Sequence, residues 1–274
     1  MPSKAIEMVE EVVSIPVDGA DVSLVATVFR PDGPGPFPSV IVSHGEPSNA
    51  SARGRYGYWR QPHLTEALVA RGFAVVVPVR RGFGVTGGKY VGGYGGCSSS
   101  QPRFYEGSMR AAEDILASMR YASKLPYIDG SKMILVGQSA GGIASLAAAN
   151  TKPNGLIMVA NFSGGRGGQP KKTPGYPCHA EALANAIGEY AKNIDVPVLW
   201  HYVEDDDYFS PKVARMWFAA FEGNGGKGKL VVQPPFGSRA HNILLERDGI
   251  PVWGKVFDDF LLDVGIFNKN RPES

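Results

Sequence analysis

A regular alternation of short apolar runs with segments of helical spacing most constrains the fold of this chain. The apolar runs have the length of β-strands and lie at residues 9–16, 22–30, 39–43, 73–79, 133–136, 156–160, 196–203 and 229–233. Helical segments lie at residues 61–71, 105–125, 139–150, 180–192, 211–221 and 252–262. The first two runs predict a β-hairpin, and strands then alternate with helices. This order predicts an α/β fold in which a mostly parallel, eight-stranded sheet carries helices on both faces.

Composition bounds the size and the partners of the molecule. The chain has 274 residues, of which 43% are hydrophobic and 20% charged, so it can bury a large core and is not mostly disordered. No repeat or break in composition divides it, and we expect a single domain over residues 1–274. The net charge of +2 gives no reason to expect nucleic acid or an anionic membrane as the main partner. No apolar stretch reaches the roughly 20 residues of a membrane span. The sequence leaves the oligomeric state open.

A candidate nucleophile lies where the strand at residues 133–136 runs into a helix of small residues. Residues 137–141 read Gly-Gln-Ser-Ala-Gly and match the pattern G-x-S-x-G. The pattern alone is weak, but a nucleophile elbow requires this strand–turn–helix context. The sequence therefore favours Ser139 as a nucleophile over a serine that merely caps the helix.

A serine hydroxyl needs a base to act as a nucleophile at neutral pH. In serine hydrolases built on an open α/β sheet, the acid and then the histidine follow the serine along the chain. Of the histidines after Ser139, only His241 also follows an acidic group at the end of a strand, so it is the expected base. The acid is expected within residues 204–207, Glu-Asp-Asp-Asp, which otherwise read as a solvated turn. Spacing alone does not decide which of the four it is.

Acyl transfer also needs donors for the oxyanion of the tetrahedral intermediate. The backbone N–H of Ala140 directly follows the nucleophile, and the loop after the third strand, His-Gly-Glu-Pro at residues 44–47, offers the N–H of Glu46. We expect His44 to hold this turn by hydrogen bonds rather than to act in catalysis. The reaction requires no metal or organic cofactor.

Three motifs resemble those of α/β-hydrolases, and the resemblance spans nearly the whole chain. Residues 44–47 are similar to the family's oxyanion turn, and residues 137–142, GQSAGG, are similar to its nucleophile elbow. Residues 199–209, LWHYVEDDDYF, resemble the acid segment L-W-x-Y-G-E-N-D-x-Y-F of the dienelactone-hydrolase-like branch, with Val203 and Asp205 as departures. The resemblance implies the α/β-hydrolase fold and Asp206 as the catalytic acid, with Asp205 and Asp207 as fallbacks.

The resemblance also bears on the substrate. Dienelactone hydrolases use a cysteine nucleophile, so the serine at position 139 favours an ester substrate instead. Residues 161–195 are too short for a large cap domain, which predicts an open pocket roofed by loops. Aromatic residues expected to line it, unless they simply pack between loops, are Tyr56, Tyr58, Trp59, Phe83 and Phe162. Arg80 and Arg81 either bind a substrate carboxylate or brace a loop.

These features predict a carboxylic ester hydrolase that forms an acyl-enzyme on Ser139 through a Ser139–Asp206–His241 triad, with a small-molecule ester as its partner. Two alternatives stay open: a serine peptidase or amidase with the same triad, and a binding protein on this fold whose triad is idle.

The two cysteines bear on localisation. Cys97 and Cys178 lie in loop sequence without metal-site spacing, and two free thiols are the simpler interpretation. The polar first ten residues favour the cytoplasm by default, whereas a Cys97–Cys178 disulfide would imply export. Residues 163–168 and the following loop with Cys178 are similar to extracytoplasmic members of the branch, which favours the disulfide.

Overall fold

One eight-stranded sheet forms the centre of the molecule in the computed structural model, which describes residues 7–47 and 50–266. Residues 1–6 and 267–274, the ends of the single domain expected over residues 1–274, lie outside the described residues. The strands are β1 (Met8–Ile15), β2 (Leu24–Pro31), β3 (Phe37–Ser43), β4 (Ala74–Pro78), β5 (Ile128–Gln138), β6 (Leu156–Phe162), β7 (Val198–Val203) and β8 (Gly228–Gln233). Their order is β1-β2-β4-β3-β5-β6-β7-β8. β2 pairs antiparallel with both β1 and β4, and all the other pairs are parallel. The predicted mostly parallel sheet is thus confirmed.

Helices cover both faces of this sheet. They are α1 (Pro62–Ala70), α2 (Phe104–Ala122), α3 (Ala140–Ala149), α4 (Ala180–Ala191), α5 (Pro211–Gly223) and α6 (Ile250–Asp263). α1 and α6 pack on one face, and α2 to α5 pack on the other. A strand covered on both faces must be apolar throughout, and β4 is buried at all five positions. Among the described residues, no helix is long and apolar enough to cross a membrane.

The topology brings the predicted site residues to one edge of the sheet. The parallel strands β3, β5, β6, β7 and β8 end on the same side, so the loops that follow them meet there. The segment between β6 and α4, residues 163–179, is loop, and the described residues form no large cap. This edge is where α/β sheets bind their ligands.

Candidate active site

Ser139 lies on a strained turn between β5 and α3. Its backbone has φ 56° and ψ −124°, a conformation that residues with a side chain rarely adopt. The turn also passes close to β3, because a Cβ on Gly141 would lie 2.1 Å from the backbone oxygen of Ser43. A Cβ on Gly137 would lie 2.4 Å from the backbone oxygen of Gly141. Both glycines of the motif are therefore required by the close packing around the serine.

His241 and Asp206 form a hydrogen-bonded pair at the same edge of the sheet. The Nδ1 atom of His241 lies 3.0 Å from Oδ2 of Asp206 and 3.1 Å from Oδ1. Asp206 is buried, and its Oδ1 also accepts the backbone N–H groups of Tyr208 and Phe209, at 2.8 and 3.2 Å. A carboxylate at Nδ1 favours the tautomer whose Nε2 is free to accept a proton.

The other acidic residues of the run face elsewhere. Asp205 accepts the backbone N–H groups of Phe236 and Gly237 at 2.9 and 2.6 Å and so braces the loop after β8. Glu204 and Asp207 are exposed. Of the four, the structure brings Asp206 to the histidine and leaves both fallbacks away from it.

A contact of Gln138 connects the serine turn with the histidine loop. Gln138 donates from Nε2 to the backbone oxygen of His241 at 3.1 Å. The His241 ring stacks on Tyr208 with centroids 4.2 Å apart, and Tyr208 lines the same cavity as Ser139. The Ser139 hydroxyl itself has no hydrogen-bond partner among the residues described. Nucleophile–base hydrogen bonds are often long without substrate and tighten when it binds. Sequence reasoning missed this role of Gln138, although the residue occupies the second position of the G-x-S-x-G motif.

The two predicted oxyanion donors belong to segments that meet at the serine. Ala140 begins α3, and Glu46 follows β3; neither backbone N–H has an acceptor among the residues described. The two segments touch, since a Cβ on Gly45 would lie 3.2 Å from Cβ of Ser139.

His44 is part of the turn that carries Glu46. Its Nε2 accepts the backbone N–H of Arg80 at 3.1 Å, so Nδ1 carries the proton and donates to the oxygen of Gly45 at 2.7 Å. Complete burial, with the nearby Arg80 charge, holds the pKa of His44 well below its usual value. The ring is therefore neutral and serves the turn, as the sequence indicated.

The Glu46 side chain belongs to a charged network that sequence reasoning missed. Its Oε2 accepts hydrogen bonds from Tyr90 at 2.8 Å and from Nη2 of Arg166 at 3.0 Å, and Arg80 lies 3.7 Å from Oε1. Arg166 is buried and also donates to the backbone oxygen of Gly92 at 2.6 Å. Burial and the Glu46 charge raise the pKa of Tyr90 to about 12, so its hydroxyl stays a donor. In the sequence, the one indication of this network was Arg166, an arginine within the glycine-rich run at residues 163–168.

Of the two roles expected of Arg80 and Arg81, the structure supports the second, in which the arginines brace a loop. Arg81 pairs with Asp114 at 2.6 Å and with Glu113 at 2.7 Å, which anchors the loop after β4 to α2. Arg80 donates from Nη2 to the backbone oxygen of His44 at 2.6 Å. Both guanidinium groups thus have protein partners.

A cavity of about 690 Å³ opens beside Ser139. Its walls come from the loops after β3, β4, β6 and β7, and a disulfide between Cys97 and Cys178 joins the loop before α2 to the loop before α4. The interpretation of the cysteines as two free thiols is therefore wrong. It failed because loop sequence gives no information on which loops meet. No cluster of three or more metal-ligand side chains occurs within the described residues.

The aromatic residues expected at the pocket do not line this cavity. Phe162 is buried against His201 and Trp253, because the last position of β6 still belongs to the core. Tyr56, Trp59 and Phe83 pack around the ring of His44, and Tyr58 is exposed. The aromatic side chains that line the cavity are instead Tyr90, Tyr94, Tyr208 and Phe209.

Comparisons with known proteins place these observations in a family. The family model described as X-Pro dipeptidyl-peptidase (S15 family) matches residues 18–169, which include Glu46 and Ser139 but end before Asp206 and His241. No curated protein matches the chain.

Solved structures share the fold at low sequence identity. A proposed dienelactone hydrolase from Klebsiella pneumoniae is 16% identical, with 95% of this chain and 100% of that chain covered and a TM-score of 0.62. Est1E from Butyrivibrio proteoclasticus, solved with ferulic acid, is 18% identical, with 93% and 100% covered and a TM-score of 0.62. The acylaminoacyl peptidase of Pyrococcus horikoshii is 16% identical, with 95% of this chain covered and a TM-score of 0.65. The present chain spans 42% of that peptidase. These likenesses confirm the α/β-hydrolase fold.

Proposed function

This chain belongs to the S15 family of hydrolases, and from that premise we propose that it cleaves carboxylic esters through an acyl-enzyme on Ser139. The observation that carries the proposal is the buried Asp206–His241 pair beside the strained turn of Ser139. A small-molecule ester is the partner of such a site.

In the proposed reaction, the Ser139 oxygen attacks the ester carbonyl carbon while Nε2 of His241 takes the hydroxyl proton. Asp206 stabilises the imidazolium that forms, and the N–H groups of Ala140 and Glu46 bind the oxyanion. The intermediate then expels the alcohol, which receives the proton from His241. The same histidine next activates a water molecule, which releases the acid and restores the serine.

The charge of the cavity favours an ester over an X-Pro dipeptide. A dipeptidyl-peptidase binds the free α-ammonium group of its substrate, and a buried cation of this kind needs a carboxylate partner. Among the described residues that line the cavity, Glu46 is the one carboxylate. Arg166 and Tyr90 already occupy its Oε2 atom, and the Arg80 guanidinium lies 3.7 Å from Oε1.

The proposal is tested with a p-nitrophenyl ester and a p-nitroanilide of the same acyl group. We expect the wild-type protein to hydrolyse the ester, and the Ser139→Ala variant to lose about 10⁴-fold or more in kcat with its thermal stability unchanged. A loss of only tenfold would remove Ser139 from the nucleophile's role.

The peptidase alternative is favoured by the description of the matching family. Faster cleavage of the anilide than of the ester would establish that activity instead. A fluorophosphonate probe separates both enzymes from an idle binding protein, because only an activated serine is labelled. Labelling of the wild type but not of Ser139→Ala is the expected result.

A further inference from the structure

The cavity beside Ser139 concentrates positive charge. Arg53, Lys171 and Lys172 line it, and none of the three forms an ion pair with another described residue. The one lining carboxylate found in the described part of the chain, Glu46, is neutralised by Arg166. Because the whole chain is nearly neutral, with 28 basic and 26 acidic residues, its composition does not explain this excess.

The cations come from two loops that face the same space. Lys171 and Lys172 are exposed on the loop after β6, which the disulfide ties to the opposite wall. Arg53 follows β3, and its guanidinium lies 3.9 Å from the ring centroid of Tyr90, a cation–π contact that positions the group without cancelling its charge. The positive groups therefore flank the volume into which Ser139 opens.

A buried guanidinium adds an independent observation. Arg166 lines the cavity, and its side chain is only 1% exposed. Its Nη1 atom is buried and has no hydrogen-bond partner among the residues described. Buried polar atoms are nearly always paired in folded proteins. The Oε1 atom of Glu46, the ion-pair partner of Arg166, is also buried and without a hydrogen-bond partner among the residues described, so this pair leaves one donor and one acceptor open at the wall of the cavity.

We propose that the ester hydrolysed here carries a carboxylate away from the scissile bond, and that Lys171, Lys172 and Arg53 bind this carboxylate. The inference rests on the proposed function and names the substrate class of the same site. Charge-assisted hydrogen bonds to the carboxylate hold the ester, and the positive potential of the cavity attracts it.

Matched pairs of esters test the proposal. On the acyl side, mono-4-nitrophenyl glutarate is compared with 4-nitrophenyl valerate, which has a methyl group in place of the carboxylate. On the alcohol side, 4-acetoxybenzoate is compared with 4-acetoxytoluene. After the uncatalysed rate is subtracted, we expect kcat/KM to be about tenfold higher for the charged member of at least one pair. The preference should shrink in 1 M NaCl, where the Debye length is only about 3 Å.

A pair of double variants separates a local effect from one of total charge. Lys171→Gln/Lys172→Gln should lower the ratio of charged to neutral ester toward one, with Arg53 as the remaining cation of the three. Lys124→Gln/Lys227→Gln removes the same charge from two exposed lysines that do not line the cavity, and it should leave the ratio as in the wild type. Circular dichroism checks that both variants fold.

The possible outcomes distinguish a failure of this inference from a failure of the proposed function. Hydrolysis of neutral and charged esters at equal rates, with Ser139 still labelled by fluorophosphonate, would overturn the inference and leave the esterase intact. The inference also fails if both double variants change the ratio alike. Absence of both ester hydrolysis and labelling would overturn the proposed function and the inference together.

Discussion

Asp206 shows how a single buried carboxylate can fix the tautomer of a neighbouring histidine, here the base that we propose. Two backbone N–H groups hold its Oδ1, and both carboxylate oxygens lie within hydrogen-bond distance of Nδ1 of His241. The side chain therefore has little freedom to turn away from the imidazole. Its neighbours in the acidic run lack this arrangement.

The Asp206→Asn variant tests this assignment. The amide oxygen can keep the two backbone hydrogen bonds, but the amide nitrogen would then face Nδ1 of His241 and favour the wrong tautomer. We expect kcat to fall by roughly 10³–10⁴-fold with the fold retained. Asp207→Asn, an exposed neighbour, is the matched control and should retain activity. Steady-state kinetics of both variants measure this, and equal losses would refute the role of Asp206.

His201 makes the stability of the protein depend on pH. The ring is buried in β7 without a hydrogen-bond partner for either nitrogen among the described residues, and burial lowers its pKa to about 4. The unfolded chain binds a proton near the ordinary pKa of 6.5, whereas the folded chain does so only near 4. The contribution of His201 to the free energy of unfolding is therefore fully present above pH 6.5 and is lost as the pH drops toward 4.

At pH 5, the contribution of His201 is a loss of about 2 kcal/mol relative to pH 7. The His201→Phe variant keeps an aromatic ring beside Phe162 but cannot be protonated. Urea denaturation at the two pH values should show a loss for the variant that is smaller than the wild-type loss by about this amount. His44, whose pKa is also lowered, supplies a remaining loss of the same sign. Identical losses in both proteins would contradict the assignment to His201.

At the scale of elements, the turn from β5 into α3 depends on the absence of a side chain where the two cross β3. In Gly141→Ala, the new Cβ would lie 2.1 Å from the Ser43 backbone oxygen and 2.5 Å from that of His44, and neither carbonyl is free to rotate away. We expect the free energy of unfolding to fall by about 1–3 kcal/mol or more.

Gly223→Ala at the end of α5 is the matched control, because a Cβ there meets nothing within 4 Å. Alanine is the better helix former, so this change should be neutral or slightly stabilising. Chemical denaturation of the two variants measures the difference. A Gly141→Ala variant as stable as the control would show that the crossing can relax.

The strands could be predicted from the sequence to different degrees. Each apolar run became a strand, because buried parallel strands require such runs. The start of β5 was missed, since residues 129–132 are polar although Ile128 already pairs with Phe37. The position of β4 between β2 and β3 depends on which faces pack together, and no local pattern encodes that order.

The residues of the candidate site also differ in how well the sequence predicted them. Ser139 and His241 followed from motif and chain order, while Asp206 needed the resemblance to a family because four acidic residues share one turn. The cavity lining was missed, because a residue near the end of a strand or in the following loop can turn into the core, as Phe162 and Phe83 do, or toward the ligand. Long-range contacts such as that of Arg166 with Glu46 produce no periodic pattern in the sequence, so they could not be predicted.

At the scale of the whole molecule, the disulfide connects parts of the chain 81 residues apart. Closing a loop of this length reduces the entropy of the unfolded chain, and we expect Cys97→Ser/Cys178→Ser to lower the free energy of unfolding by about 2–5 kcal/mol. Denaturation of the oxidised wild type and the double variant measures this. A change below about 1 kcal/mol would refute a stabilising role.

Such a disulfide persists in oxidising compartments, so we expect the protein to function outside the reducing cytoplasm. Alkylation of thiols in protein isolated from its source without reductant checks this. No cysteine should react before reduction, and two should react afterwards. Two reactive thiols at the outset would place the protein in a reducing environment.

The covalent link between the two loops also has a consequence for engineering. Residues 88–103 and 163–179 cannot be exchanged one at a time, since each must present its cysteine to the other. Libraries that seek new selectivity should therefore graft or randomise both segments together, as one cassette transplanted between scaffolds.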